Sequence, residues 1–231
     1  MNETATIDRA AGAAPCWKCG AELQLSDDVC AQCGMPQPAP EHADYFELWG
    51  VPASMDFDAT TLQRDFHARS RKLHPDRFHN AGEPASAYSL ERSALLNKSY
   101  RTLRDAGARL RYLFKTEKEL LEIGDADSKN VPVELAEEFF EMQEALAEGD
   151  TQALEKLKTR LEGLRLESRE KLDALAARWD AEKLGELRAR GEGIEERSAF
   201  ARELQKARQF EGYLARMEEN IGRAASGGVA D

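Results

Sequence analysis

Long apolar runs are missing from this chain of 231 residues. Nothing in it approaches the run of about 18 apolar residues that a membrane-spanning helix requires. Basic charge is in deficit, with 32 Lys and Arg against 43 Asp and Glu and a net charge of −11, which disfavours a general nucleic-acid binder. Histidine is scarce, at four residues, and there is no glycine-rich phosphate loop and no paired nucleophile and base, so no enzyme is expected. The segment from Met1 to Pro15 lacks a basic stretch followed by an apolar core, and it sets Glu3 and Asp8 against Arg9. Neither a secretory signal nor a mitochondrial presequence is expected from it, and a bacterial-type cytoplasm is the simplest setting. What is there suits one or two modest folded domains: 42% of residues are hydrophobic and 7% aromatic, too many for a wholly disordered chain.

All four cysteines fall early, as Cys16-Trp17-Lys18-Cys19 and Cys30-Ala31-Gln32-Cys33. A two-residue gap lets two thiolates converge on one ion from a tight turn, and Gly20 and Gly34 follow the pairs where a positive φ is useful. Two such pairs fit tetrahedral Zn²⁺, held by Cys16, Cys19, Cys30 and Cys33, with no position left open for catalysis. Disulfides need an oxidising compartment, and a redox pair belongs on a βαβ framework that is not visible. An iron–sulfur cluster uses the same ligands. A segment this short has little core, so a metal would supply much of its folding free energy.

The run Met-Pro-Gln-Pro-Ala-Pro over 35–40 predicts a stiff linker. A short apolar turn follows at Tyr45, Phe46, Leu48 and Trp49. Asp56 or Asp58 is then placed to cap a helix reaching Leu73, with Leu62, Phe66 and Leu73 on one side. Pro75 stops that helix, and another is predicted from about Ser86 to Asp105 around Leu96, Tyr100 and Leu103. Leu110 to Phe114 reads as one more apolar turn, and Gly124 to Asn130 as a polar loop. Three amphipathic helices are predicted after residue 130 and should bury their stripes in an antiparallel bundle. The expected organisation is a disordered tail over 1–15, a zinc knuckle and linker over 16–40, a helical domain over 41–115, a linker over 116–130, a bundle over 131–222 and a second tail over 223–231.

The informative tripeptide is His74-Pro75-Asp76, between a basic helix and its partner. Together with Asp-Tyr-Phe at 44–46, Phe78, and Asn97, Tyr100, Thr102 and Leu103, it resembles a J-domain, and more narrowly the HscB-type J-domain co-chaperones of iron–sulfur cluster assembly. No Gly/Phe-rich linker follows, unlike general J-proteins. The tetracysteine segment is similar to that of metazoan mitochondrial members, which many bacterial members lack.

The resemblance implies an all-α protein: a J-domain helical hairpin and a C-terminal antiparallel three-helix bundle, preceded by the knuckle. It implies stimulation of a DnaK/HscA-type ATPase by His74, Pro75 and Asp76, with Arg64, Arg69, Arg71 and Lys72 docking on an acidic chaperone surface. That basic cluster, four cations against Asp65 alone between Thr60 and Leu73, stands out in an acidic chain. The resemblance further implies that the bundle holds an IscU-like scaffold. Seven acids and no Lys or Arg lie between Glu134 and Asp150, and Glu137, Phe140, Glu141, Glu144 and Glu148 share one helical stripe. Phe210, on the last helix, is the matching aromatic. Ala136 and Glu137 depart from the more hydrophobic family pattern at those positions. The other reading is a J-protein whose different client is bound by the knuckle or the bundle.

Overall fold

The computed structural model describes residues 15–42, 44–124 and 130–225. The expected tails lie outside these residues except at Pro15 and 223–225, and the expected loop over 124–130 is described only at its two ends. The chain divides into two compact units, Met1–Tyr112 and Leu113–Asp231. Among the described residues there are helices and turns, with one isolated bridge, Val29 to Pro36, in the cysteine segment.

In the first unit, helix α1 (Tyr45–Leu48) is short because Gly50 and Pro52 follow it. Asp44 caps it, accepting from the backbone N–H of Phe46 at 2.7 Å. Helix α2 (Ala59–Leu73) starts at the cap Asp58, which accepts the Thr60 N–H at 3.0 Å and the Thr61 hydroxyl at 2.5 Å. Those bonds, with the Thr61 hydroxyl foremost, hold the Asp58 carboxyl below the usual carboxylate range. Helix α3 (Ala85–Arg104) packs against α2. Phe66 stacks on Tyr100 with ring centroids 4.1 Å apart, while Ser89 near the start of α3 reaches Leu73 at the end of α2, so the two helices run antiparallel. Trp49, just after α1, donates to the Ser99 hydroxyl of α3 at 2.9 Å, which ties α1 to the hairpin, and Tyr45 stacks on Tyr112 at 4.3 Å.

Helix α4 (Ala106–Leu120) corrects the expected apolar turn at Leu110 to Phe114, which is the middle of a 15-residue helix. The division between the two units falls within it. Its inward positions include Arg109 and Glu117, both buried, so the apolar periodicity that announces a helix is interrupted by charge.

In the second unit, helices α5 (Ala136–Glu148), α6 (Thr151–Ala181) and α8 (Ile194–Ala225) form the bundle, with the short α7 (Leu184–Arg190) between the last two. Gly149, with φ +68°, ends α5, and Asp150 caps α6 through the N–H groups of Gln152 and Ala153, each at 3.0 Å. Arg165 meets Glu218 at 2.6 Å and Arg178 meets Glu203 at 2.8 Å, so α6 and α8 are antiparallel. Leu135, Met142, Leu154, Leu161, Leu214 and Met217 fill the core. Lys183, with φ +54°, breaks the helical path after α6 and precedes α7. Glu117 is fully buried between Arg188 at 2.5 Å and Arg197 at 2.7 Å, tying the end of α4 to α7 and α8.

Candidate functional site

The cysteine segment builds two matching turns. Gly20 donates to the Cys16 carbonyl and Gly34 to the Cys30 carbonyl, each at 2.9 Å, and both glycines take φ near +70°, at 73° and 71°. The turns bring the four sulfurs within 4.8 Å of one another, with Cys16 to Cys33 at 3.6 Å and Cys19 to Cys30 at 3.7 Å. A tetrahedron with metal–sulfur arms of about 2.3 Å has edges of about 3.8 Å, so the cage has the size for one ion. Burial opposes ionisation of Cys16, but the N–H groups of Cys19 and Lys18 and the neighbouring thiols outweigh it and lower its pKa to about 6. The Ala21 N–H favours the Cys19 thiolate, yet burial and the three nearby sulfurs push that thiol up to about 12. Cys33 is also raised, against the pull of the Met35 N–H. One thiolate forms easily and then opposes its neighbours, the electrostatic situation that a bound cation relieves. These four cysteines could hold a metal ion.

The His74-Pro75-Asp76 loop projects from a rigid base. Leu73 before it and Phe78 after it are buried, and the Leu73 carbonyl accepts from the Ser89 hydroxyl at 2.7 Å and the Ser93 hydroxyl at 3.3 Å. Pro75 opens a single 3₁₀ turn, and His74 Nδ1 accepts the Asp76 N–H at 3.3 Å. The side chains of His74 and Asp76 are 56% and 89% exposed. A pinned base and a bare tip present both groups to solvent.

The basic cluster beside the loop is smaller than the sequence suggested. Arg64, Arg71 and Lys72 are exposed, as is His67 on the stripe of Arg64 and Arg71. Arg69 is turned inward: its guanidinium donates to Asp28 at 2.6 and 2.8 Å and to the Leu48 carbonyl at 3.0 Å. This corrects its assignment to the docking face. Four sequence positions separate Arg69 from Asp65 and Leu73, so it shares the helix side of Leu62 and Leu73 and finds a buried carboxylate there.

On α5, Glu137, Phe140, Glu141, Glu144 and Glu148 all lie on the exposed side, while Met142 and Ala145 face the core. Phe140 is 70% exposed, and Val133, in the turn before the helix, is 88% exposed. Glu141 is held by Arg160 at 2.6 Å, so its charge is partly compensated. Phe210 differs from Phe140: it is half-buried and packs against the bundle core. Sequence reasoning gave no role to Val133, Ser89, Ser93, Asp28 or Arg92. Only Val133 carried a signal, as an apolar residue one turn ahead of the acidic stripe.

Comparison with known proteins gives one consistent answer. No family model matches the chain. The Co-chaperone protein HscB homolog of Cupriavidus taiwanensis is 34% identical over 143 residues, which cover 60% of this chain and 78% of that protein. The Iron-sulfur cluster co-chaperone protein HscB of Mus musculus is 28% identical over 176 residues, 74% of each chain. The Arabidopsis thaliana HscB homolog is 29% identical over 137 residues, and the match spans 52% of its length, about half. The crystal structure of human co-chaperone protein HscB shares the fold, with a TM-score of 0.58 at 23% identity over 90% of this chain and 97% of that one. Sequence relatedness over most of the Cupriavidus protein, on this all-helical architecture with its exposed His-Pro-Asp loop, shows that the chain belongs to the HscB family of co-chaperones.

Proposed function

We propose that this protein is an iron–sulfur cluster co-chaperone that stimulates the ATPase of a DnaK/HscA-type chaperone and delivers an IscU-like scaffold to it. The observation that carries the reading is the pinned, exposed His74-Pro75-Asp76 tip beside the cations of α2. Arg64, Arg71 and Lys72 steer the hairpin toward an acidic chaperone surface, where complementary charge raises the encounter rate and fixes orientation. His74 and Asp76 then engage the chaperone, whose own residues hydrolyse ATP, so this chain supplies no catalytic group. At the other end, Phe140 is the apolar anchor of the scaffold face, with the exposed Val133 seven positions before it, and Glu137, Glu144 and Glu148 form an acidic rim. Glu141 and Phe210 contribute less, since each already has an intramolecular partner.

The four cysteines hold zinc in a structural role. A cage whose farthest sulfurs are 4.8 Å apart suits one ion better than a multi-iron cluster, and four thiolates leave no open position. A cytoplasmic setting, where thiols stay reduced, suits them.

The test is single-turnover ATP hydrolysis by the cognate chaperone, with this protein added, with and without the scaffold. Stimulation that the scaffold raises further supports both halves of the reading. His74→Gln should abolish stimulation while leaving helicity and scaffold binding as they were, because the side chain is exposed and supports no core contact. Stimulation retained by that variant refutes the assignment of the loop.

A further inference from the structure

The knuckle and the helical hairpin share one buried carboxylate. Asp28 sits two residues before Cys30, and its side chain is 6% exposed. Its Oδ2 accepts from Arg69 Nε of α2 at 2.6 Å, and its Oδ1 accepts from Arg69 Nη2 at 2.8 Å and from Arg92 Nε of α3 at 2.9 Å. Arg92 is itself buried and also donates to the Pro38 and Leu25 carbonyls, and Arg69 reaches the Ser26 carbonyl at 3.2 Å. Two guanidiniums from facing helices thus converge on one knuckle carboxylate. Without it their like charges, held out of water, would push α2 and α3 apart.

The backbone of Asp28 is in turn wired to the sulfur cage. Its carbonyl accepts the Gln37 N–H at 2.9 Å, Gln37 Nε2 reaches Cys16 Sγ at 3.4 Å, and the Val29 to Pro36 bridge lies next to it. Asp28 and the sulfur cage are therefore joined through Gln37.

We propose that the knuckle is a positioning clamp: by bridging Arg69 and Arg92, Asp28 sets the spacing of α2 and α3, so metal held by the four cysteines governs how well the His74-Pro75-Asp76 hairpin docks on its chaperone. This rests on the co-chaperone reading above. Asp28 is a positioning residue. It acts through α2 and leaves the loop that triggers hydrolysis intact. Its loss should weaken docking and spare the maximal stimulation reached at saturation.

The experiment measures the half-saturating concentration and the ceiling of ATPase stimulation for the full-length protein and for Asp28→Asn, Arg69→Gln, their double variant, Cys19→Ser, and Asp28→Asn combined with Cys19→Ser. Asp28→Asn and Arg69→Gln should each raise half-saturation about tenfold with the ceiling kept, and the double should be no worse than either, because both break one link. Asp28→Asn should keep its zinc. Cys19→Ser should lose zinc and shift half-saturation to the same extent, with no further shift on adding Asp28→Asn. Unchanged half-saturation in Asp28→Asn, or effects that multiply in either combination, overturns the clamp. Multiplying effects with Arg69→Gln would mean that Arg69 meets the chaperone directly. Backbone hydrogen exchange of the wild-type protein, stripped of metal and then reloaded with zinc, tests the clamp without a variant or a chaperone. Zinc should slow exchange across α2 and α3, and exchange there that is indifferent to zinc refutes the proposal. If the wild-type protein fails to stimulate any chaperone, the co-chaperone reading falls while the exchange result still decides the clamp.

Discussion

If Phe140 anchors the scaffold, Phe140→Ala should weaken binding while leaving stability nearly unchanged. The ring is 70% exposed on α5. A phenylalanine side chain offers about 200 Å² for burial, so about 140 Å² remains for a partner. Alanine keeps some of that area, and about 100 Å² lost at 25 cal/mol per Å² is about 2.5 kcal/mol. Imperfect complementarity lowers this to about 2 kcal/mol, or about 30-fold in Kd for the scaffold. The folded chain loses little, because the exposed ring's aromatic contact is with Phe139, edge-on with centroids 6.1 Å apart. Unfolding should shift by less than about 1 kcal/mol, or roughly 3 °C in Tm for a chain of this size. Titration calorimetry with the scaffold and a thermal melt on the same preparation read the two quantities together. Scaffold binding within twofold of wild type would place the client elsewhere. A Tm lowered by 10 °C or so would mean that Phe140 is a packing residue.

Other outcomes follow from the same geometry. Glu117→Gln removes the carboxylate between two buried guanidiniums and should cost about 3–5 kcal/mol in denaturant unfolding; a loss under about 1 kcal/mol would show that Arg188 and Arg197 find water instead. Gly193→Ala puts a Cβ 2.7 Å from Leu187 Cδ1 at φ +65° and should cost about 1–3 kcal/mol, whereas a neutral melt would contradict the tight α7 to α8 turn. Acid competes with metal for the thiolates, so zinc should be retained at neutral pH and released as the sulfurs take up protons, read with a colorimetric chelator. Release independent of pH would argue against thiolate ligands.

Much of the helical pattern was already present in the chain. Leu62, Phe66 and Leu73 recur at helical spacing, Asp58 stands where a cap belongs and Pro75 ends the helix, so α2 needs no tertiary information. The acidic stripe on α5 was equally legible, because residues on one helix face follow from the period alone. The two cysteine turns were legible from their spacing and the glycines that close them.

Helix α4 was not, and the reason is chemical. Its core positions are taken partly by Arg109 and Glu117, and a buried charge looks like a surface residue until its partners are known. Those partners lie far along the chain: Arg188 is 71 positions from Glu117, and Arg92 is 64 from Asp28. No local pattern encodes such pairs. Arg69 shows the consequence: sequence places it among the cations of a docking helix, and only folding reveals a carboxylate beneath it. Composition, caps and periodicity determined which segments are helical and where the His-Pro-Asp loop stands, because those depend on neighbours within a turn or two. The tertiary structure decided which charges stay exposed and which hold the molecule together, because burial is a property of the assembled fold.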